Sequence, residues 1–122
     1  MPDLNHVILY VDSPERSARF YARLLGLQPI EASPTFALFG FASGLELGLW
    51  SCHTVEPSAT PVGGSELAFA VADDATVDQL HAQWAQDGLK IIQQPQSLDF
   101  GYTFTALDPD GHRLRVYCLH GV

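Results

Sequence analysis

The sequence consists of two halves that repeat one pattern, and this repeat limits the possible fold more than any other feature. A β-branched and aromatic run, His6 to Val11, is followed by helical spacing of apolar residues that stops at Gly26. The same order returns at Glu66 to Val71, with a helical pattern that stops at Gly88. Three short apolar runs follow each helical segment. The repeat predicts an α+β fold made of two tandem βαβββ modules.

Capping signals give the ends of both predicted helices. Ser13 can accept a hydrogen bond at the start of the first helix, and Pro14 suits the first helical position. The second helical pattern begins at Asp73-Asp74, and Trp84 lies on its apolar side. We therefore expect Trp84 to pack against the back of the sheet.

The remaining apolar runs predict the other strands and the module boundaries. They lie near 28–32, 36–41, 45–51, 89–93, 102–107 and 113–119. The segment between the halves contains Pro57, Pro61 and Gly63-Gly64, which disfavour regular structure. The prediction is a single domain, 1–122, with module 1 at about 4–51, a linker at about 52–64 and module 2 at about 65–120.

Composition limits the class of protein. The chain has 122 residues, 47% of them hydrophobic, which suffices for one sizeable core. No run approaches the roughly 18 apolar residues that span a bilayer, and Met1-Pro2-Asp3 has no basic or apolar leader character. We expect a cytoplasmic protein that does not contact membranes.

The charge and the cysteine content limit which classes of partner and cofactor are expected. Fourteen acidic residues against six lysines and arginines give a formal net charge of −8, which disfavours nucleic acid as a partner. Cys52 and Cys118 do not form a CxxC pair, so we interpret both as reduced thiols. No phosphate-binding loop or nucleophile elbow is present, and no cofactor is predicted.

Successive side chains of a strand point to opposite sides, so the residues of the predicted sheet divide into two faces. One face is apolar and is predicted to lie under the helices: Val7, Leu9, Val11, Leu47, Leu49, Leu67, Phe69, Val71, Leu114, Val116 and Cys118. The other face mixes charged, aromatic and small residues: His6, Ile8, Tyr10, Glu46, Gly48, Trp50, Glu66, Ala68, Ala70, Arg115, Tyr117 and Leu119. A solvated sheet face is the alternative, but large aromatics beside Gly and Ala are typical of a cavity.

Several side chains of the second face are candidates for binding a ligand. Trp50 offers a flat indole on which a planar ligand can stack, and Tyr10 and Tyr117 share its orientation. The predicted rim consists of Tyr102 and Phe104, with Phe36 or Phe39. His6 is interpreted either as a hydrogen-bonded cavity residue or as a ligand or acid-base group. The other histidines, His53, His81, His112 and His120, receive no role.

The chain resembles the vicinal oxygen chelate superfamily, which includes glyoxalases, bleomycin resistance proteins and extradiol dioxygenases. The similar segments are Leu4-Asn5-His6-Val7, Phe20-Tyr21 with Leu24 to Leu27, and Asp108-Pro109-Asp110-Gly111-His112. The last segment is itself typical of a tight hairpin turn. The resemblance covers nearly the whole chain and implies an open eight-stranded cup.

The resemblance also identifies the positions that hold a metal in metal-using members. These positions are occupied here by His6, Glu46, Glu66 and Arg115. A guanidinium has no lone pair to donate and stays protonated, so Arg115 is unsuited to binding a metal ion. We predict an ion pair between Glu66 and Arg115 in place of a metal.

Among members of this superfamily, the chain is most similar to small metal-free antibiotic-binding proteins of the phenazine resistance type. The similar residues are Trp50-Ser51, Phe100-Gly101, Thr103-Phe104 and Arg115-Val116. The resemblance implies antibiotic resistance by sequestration of a planar aromatic compound, in a strand- or module-swapped homodimer. The predicted ligand contacts are His6, Tyr10, Glu46, Trp50, Glu66, Tyr102, Phe104, Arg115 and Tyr117.

Two alternatives remain open at this point. The first is a lyase or isomerase that uses His6, Glu46 and Glu66 with or without a divalent metal. The second is a sensing module whose ligand acts as a signal.

Overall fold

A computed structural model describes residues 1–121 as two compact units of similar construction, 1–61 and 62–121. The first unit contains β1 (His6–Val11), α1 (Pro14–Leu25), β2 (Glu31–Ala32), β3 (Phe36–Gly40) and β4 (Glu46–Ser51). The second contains β5 (Glu66–Ala70), α2 (Asp74–Gln86), β6 (Lys90–Leu98), β7 (Gly101–Leu107) and β8 (Arg113–Leu119). The predicted α+β class and the βαβββ order of each half are confirmed.

The sheet of the first unit has the strand order β1-β4-β3-β2. Its outer strand β1 runs parallel to β4, with Val7 opposite Leu47 and Leu9 opposite Leu49. The other two pairings are antiparallel. Because a parallel pair needs a crossover connection, α1 lies between the two strands in sequence and covers one face of the sheet.

Helix α1 begins and ends where its capping residues predict. The Ser13 hydroxyl accepts a hydrogen bond from the amide of Arg16 at 3.2 Å, and Pro14 occupies the first turn. Gly26 has a φ of 66°, the left-handed conformation that glycine adopts without a Cβ penalty. The core under the helix is apolar: Leu9, Val11, Ala18, Tyr21, Ala37, Phe39, Leu47 and Leu49.

The second unit repeats this arrangement with the strand order β5-β8-β7-β6. Strands β5 and β8 are parallel, and β6, β7 and β8 are antiparallel neighbours. The Asp108 turn joins β7 to β8: its Oδ1 accepts hydrogen bonds from the amides of Asp110 and His112, both at 2.9 Å. This turn sets Leu107 opposite Arg113 and so fixes the register of the hairpin.

Helix α2 packs its aromatic residue against the sheet, as the sequence predicts. Trp84 is 5% exposed and lies edge-on to Phe69 and Phe104, with ring centroids 5.9 and 5.3 Å away. Asp73 caps the helix by accepting hydrogen bonds from the hydroxyl and the amide of Thr76 at 2.6 and 2.8 Å, and these contacts lower the pKa of the Asp73 carboxyl. The apolar face predicted for β8 is buried here.

Two strands differ in length from the prediction. Strand β2 contains only Glu31 and Ala32, although a run from 28 to 32 was predicted. Strand β6 continues to Leu98 instead of ending near 93, because register shifts let it pair with β7 past Pro95. Neither of the helices within residues 1–121 is both long and apolar enough to span a bilayer. The eight-stranded cup and the homodimer stay predictions.

Candidate functional site

The face of the first sheet that α1 leaves uncovered is organised in rows across three strands. We call it the open face of the first unit; it consists of His6, Ile8, Tyr10, Phe36, Leu38, Glu46, Gly48 and Trp50. Tyr10, Trp50 and Phe36 are register partners and form one row, which we call the aromatic row. His6 and Glu46 are register partners four residues from this row along the strands. The sequence prediction therefore placed four candidate residues on one surface.

Trp50 lies in the middle of the aromatic row and is only partly buried. The ring of Phe36 meets the indole edge-on, with centroids 6.0 Å apart and an interplanar angle of 89°. Aromatic pairs of this geometry contribute about 0.5–1.5 kcal/mol beyond their buried area. The indole is thus held in place by Phe36 while part of its surface stays accessible.

His6 contains the one buried side-chain nitrogen or oxygen within residues 1–121 that has no hydrogen-bond partner, its Nε2. Leaving such a polar atom unsatisfied costs about 1–3 kcal/mol, so it calls for an explanation in a folded protein. Histidine was singled out from the sequence, but its lack of a partner becomes visible only in the structure. Nε2 can donate or accept a hydrogen bond, depending on the tautomer.

The absence of a side chain at Gly48 makes room for the imidazole of His6. A Cβ at this position would lie 2.7 Å from His6 Nε2 and 3.0 Å from Phe36 Cζ. Both rings therefore extend over the backbone of β4. Gly48 brings the unpartnered nitrogen and the aromatic row together.

We call the face of the second sheet that contains Glu66, Ala68, Ala70, Arg115 and Tyr117 the open face of the second unit. On this face, Arg115 and Glu66 form the predicted ion pair. Nε donates to Oε1 at 2.8 Å and Nη2 donates to Oε2 at 2.9 Å, a bidentate arrangement. These hydrogen bonds lower the pKa of the Glu66 carboxyl and raise that of the Arg115 guanidinium. Arg113 approaches the same carboxylate at 3.8 Å. The prediction of a Glu66–Arg115 pair is confirmed.

The remaining nitrogen of the Arg115 guanidinium is also engaged. Nη1 donates to Gln93 Oε1 at 3.0 Å and to Thr103 Oγ1 at 3.2 Å. Thr105 Oγ1 donates to the same Gln93 oxygen at 2.8 Å. Arg115 is therefore held in one orientation by partners on three strands.

This arrangement is incompatible with the metal centre that the family implies for these positions. Both carboxylate oxygens of Glu66 accept hydrogen bonds from a permanent cation, Arg115. A divalent ion bound to Glu66 would have to displace those hydrogen bonds and lie beside a positive charge. The residues do not fit a metal, and we assign no chemical step to one.

Tyr117 lies beyond Arg115 on the same face of β8. The ring of Phe100 contacts it edge-on, with centroids 6.1 Å apart. Ala68 and Ala70, from the neighbouring strand β5, are exposed and add no bulk. The second unit therefore presents an aromatic pair next to the polar network of Arg115.

The second unit contains a cavity that Glu66 helps to line. Its volume is about 450 Å³, and it is lined by Val62 to Glu66 and by Gly111 to Arg113. This volume falls in the range of about 300–1,000 Å³ that small-molecule sites occupy. Glu66 thus forms part of the wall of a space large enough for a ligand.

Two predicted rim residues need correction, because they lie on the helix side of the sheet. Phe104 is fully buried against Trp84 and His81 of α2. The Tyr102 hydroxyl donates to Asp78 of the same helix at 2.8 Å, and this hydrogen bond raises the pKa of the phenol. We therefore exclude Tyr102 and Phe104 from the candidate site.

On β7, polar residues occupy the open face in place of Tyr102 and Phe104. Thr103 pairs with Tyr117 and Thr105 pairs with Arg115, so the two threonines share the open face. The length of the Asp108 turn could have shown which side chains of β7 lie on the open face, because it sets the register between β7 and β8. Gln93 lies in a strand whose length the sequence did not indicate, and no local pattern singles it out.

Phe39 is likewise a core residue and not part of a rim. It is fully buried, whereas Phe36 of the same strand is the residue on the open face. The sequence prediction named both as alternatives, and of the two only Phe36 lies on the open face.

Comparisons with known proteins extend over nearly the whole chain. The family model of the Glyoxalase/Bleomycin resistance protein/Dioxygenase superfamily matches residues 3–116. The phenazine antibiotic resistance protein EhpR of Enterobacter agglomerans is 30% identical over 115 residues, which cover 92% of this chain and 88% of that protein. The glutathione transferase FosA of Serratia marcescens is 31% identical over 123 residues, which cover 96% and 81%.

A solved structure agrees with the fold. The solution NMR structure of protein ATC0852 from Agrobacterium tumefaciens is 56% identical, with a TM-score of 0.92, and the match covers 99% of this chain and 100% of that one. The βαβββ repeat, the capped helices and the family match all lead to the same assignment. The chain belongs to the Glyoxalase/Bleomycin resistance protein/Dioxygenase superfamily.

Proposed function

We propose that this protein binds a planar aromatic compound on the open face of the first unit and sequesters it without altering it. The observation that supports this most directly is the unpartnered Nε2 of His6 beside the aromatic row. A buried polar atom with no partner, next to a partly exposed indole, suits a ligand that is flat and has a polar edge. The similarity to EhpR, a phenazine resistance protein, favours the same class of ligand.

Stacking on Trp50 is the proposed source of most of the affinity. Because Phe36 already holds the indole, binding costs little side-chain entropy. Tyr10, the register partner of Trp50, extends the aromatic surface on the side away from Phe36. A ligand of two or three fused rings matches a row of three aromatic side chains.

A hydrogen bond to His6 is the proposed source of orientation and selectivity. In one tautomer Nε2–H can donate to a ring nitrogen or quinone oxygen, and in the other Nε2 accepts from a hydroxyl. Because the partnerless state costs about 1–3 kcal/mol, a ligand that supplies the partner regains that free energy. Glu46, the register partner of His6, provides a carboxylate that a ligand hydroxyl or amine can contact.

On its own open face, the second unit is proposed to bind an aromatic ring through Tyr117 and the Arg115–Glu66 pair. The four hydrogen bonds that Arg115 makes with Glu66, Gln93 and Thr103 use most of its N–H groups. The guanidinium therefore acts mainly as a rigid flat surface, to which an aromatic ring can pack. Glu66 is proposed to act through this positioning of Arg115.

The experiment that tests sequestration is a titration of tryptophan fluorescence followed by recovery of the ligand. A panel of phenazines and quinones is added, the saturable quenching gives Kd, and the extracted compound is analysed by mass spectrometry. Sequestration predicts saturable binding and a recovered ligand of unchanged mass. The absence of saturable quenching across the panel contradicts the proposal.

The similarity to a glutathione transferase, FosA, favours an enzyme as the second candidate. In that case His6 would act as a general base, with Glu46 and Glu66 as the other candidate groups. Repeating the titration with glutathione present separates the two functions, because a transferase joins the thiol to the compound and returns an adduct of higher mass, whereas a binding protein returns the compound unchanged. Loss of conversion in His6→Leu would then identify His6 as the base.

A homodimer is proposed as the working assembly. Ile8 is 41% exposed on the open face and Leu119 is 64% exposed near the end of β8, which are large exposures for apolar side chains. Burying such residues against a second copy would lower the free energy of the assembly.

A further inference from the structure

Each of the two units brings together one group of side chains of metal-binding types. One consists of Asp12, Cys52 and His53, and the other of Asp74, Cys118 and His120. Within each group the possible ligand atoms lie within 4.8 Å of one another. We call them the first and second strand-end clusters.

The topology explains why the first cluster forms. Because β1 and β4 run parallel, their carboxyl ends meet at one edge of the sheet. Asp12 follows β1 directly, and Cys52-His53 follows β4 directly. The amide of Cys52 donates to the carbonyl of Val11 at 2.8 Å, which continues the pairing into the cluster.

The second cluster forms in the same way at the end of another parallel pair, β5 and β8. Asp74 is the first residue of α2, after β5, and Cys118 and His120 lie at the end of β8. The same three residue types thus recur at the corresponding edge of both units. The spacing differs, since Cys52 and His53 are adjacent while one residue separates Cys118 from His120.

We propose that each strand-end cluster binds one divalent cation of the zinc class through its Cys sulfur, His nitrogen and Asp oxygen, with water as the fourth ligand. A mixed S, N and O donor set is suited to Zn²⁺ and unsuited to Mg²⁺ or Ca²⁺, which prefer oxygen ligands alone. The first cluster lies at the carboxyl ends of β1 and β4, whereas His6 and Glu46 lie at the amino ends of these strands. It follows Tyr10 and Trp50 by two residues.

The distances between the histidine and the carboxylate of each cluster require only small side-chain adjustments. His53 Nε2 lies 2.7 Å from Asp12 Oδ1, and His120 Nε2 lies 2.8 Å from Asp74 Oδ1. Bond lengths of about 2.0–2.3 Å place the donor atoms of a tetrahedral zinc site about 3.4–3.6 Å apart. The histidine and carboxylate must separate by less than about 1 Å, and these four side chains are all 49% exposed or more.

The test measures metal retained by the full-length protein. The protein is incubated with Zn²⁺ or with Co²⁺, freed of excess metal by gel filtration and analysed for bound metal. We expect two equivalents of zinc per chain, one for each cluster. Bound Co²⁺ should show a thiolate-to-metal charge-transfer band, whereas Mg²⁺ should not be retained.

Variants of the cluster residues show which cluster binds each equivalent of zinc. Cys52→Ser should retain one equivalent, and so should His120→Ala, which spares the buried thiol of Cys118. The combined variant should retain none and lose the cobalt band, while His112→Ala, which lies outside both clusters, should retain two. Circular dichroism confirms that each variant is folded. The proposal is overturned if the wild-type protein retains fewer than two equivalents or if the combined variant retains as much as the wild type.

Discussion

The imidazole of His6 extends over Gly48, and a Cβ at residue 48 would lie 2.7 Å from its Nε2. The same Cβ would lie 3.0 Å from Phe36 Cζ, so this glycine makes room for two side chains of the candidate site.

Gly48→Ala should weaken ligand binding and lower stability. The added methyl must displace His6 and Phe36, and crowding of this kind costs about 1–3 kcal/mol. Denaturant unfolding and the fluorescence titration measure the two effects. Gly121→Ala is the control, because a Cβ there meets nothing within 4 Å. Wild-type affinity in Gly48→Ala would show that the position of the His6 ring is unimportant.

Trp50→Ala should weaken binding of a planar aromatic ligand by about five- to a hundred-fold. Loss of stacking and of one buried aromatic surface corresponds to about 1–3 kcal/mol. Trp84→Phe is the matched control, since Trp84 packs in the core under α2 and its emission should respond little to ligand. Equal affinity of Trp50→Ala and the parent protein would contradict stacking on Trp50.

His6→Leu should separate stability from binding. The substitution removes the unpartnered Nε2 and replaces the imidazole by an apolar side chain of similar size. The free energy of unfolding should therefore stay constant or rise by about 1 kcal/mol. Ligand affinity should fall by about tenfold, because the proposed hydrogen bond is lost. Chemical denaturation and the fluorescence titration are performed on the same sample. A loss of stability with unchanged affinity would mean that His6 has a structural role only.

The Glu66–Arg115 pair should make stability depend on pH in the acid range. The pKa of Glu66 is lowered from 4.5 by the hydrogen bonds from Arg115, so the folded state binds this proton less tightly than the unfolded state. The stabilisation is fully present above pH 4.5 and is lost as the pH falls through the lowered pKa. Since Glu66 is partly exposed, we expect a contribution of about 1 kcal/mol.

Arg115→Met should remove the loss of stability that protonation of Glu66 causes in acid. The measurement is the free energy of unfolding between neutral pH and the acid limit, compared with the parent protein. Arg19→Met, at an exposed position of α1, is the control and should keep the parent profile. An unchanged profile in Arg115→Met would show that the pair does not contribute to stability.

Static light scattering should give twice the chain mass of 13.3 kDa at micromolar concentrations. Ile8→Asp should shift the species toward the single-chain mass, because a charge would then replace an exposed apolar side chain. Ile92→Asp, at another exposed apolar position on the outer strand β6, is the control. A wild-type protein that scatters only as a single chain would rule out the proposed homodimer.

Local sequence signals determined the two modules and their helices. Ser13, Pro14 and Gly26 bound α1 because capping depends on a few neighbouring residues. Alternation assigned His6, Tyr10, Glu46 and Trp50 to one face, because side chains alternate strictly along a regular strand. The same rule also placed Arg115 and Tyr117 correctly.

Only the tertiary structure decided the side of β7 and the partners of each candidate residue. Thr103 and Thr105 alternate with Tyr102 and Phe104 along β7, but both sets are largely buried, so only the register with β8 shows which set lies on the open face, and Phe104 was misplaced. The missing partner of His6 and the strand-end clusters likewise depend on which strands pair and in what register. Such contacts join residues far apart in the chain, and a local pattern does not contain that information.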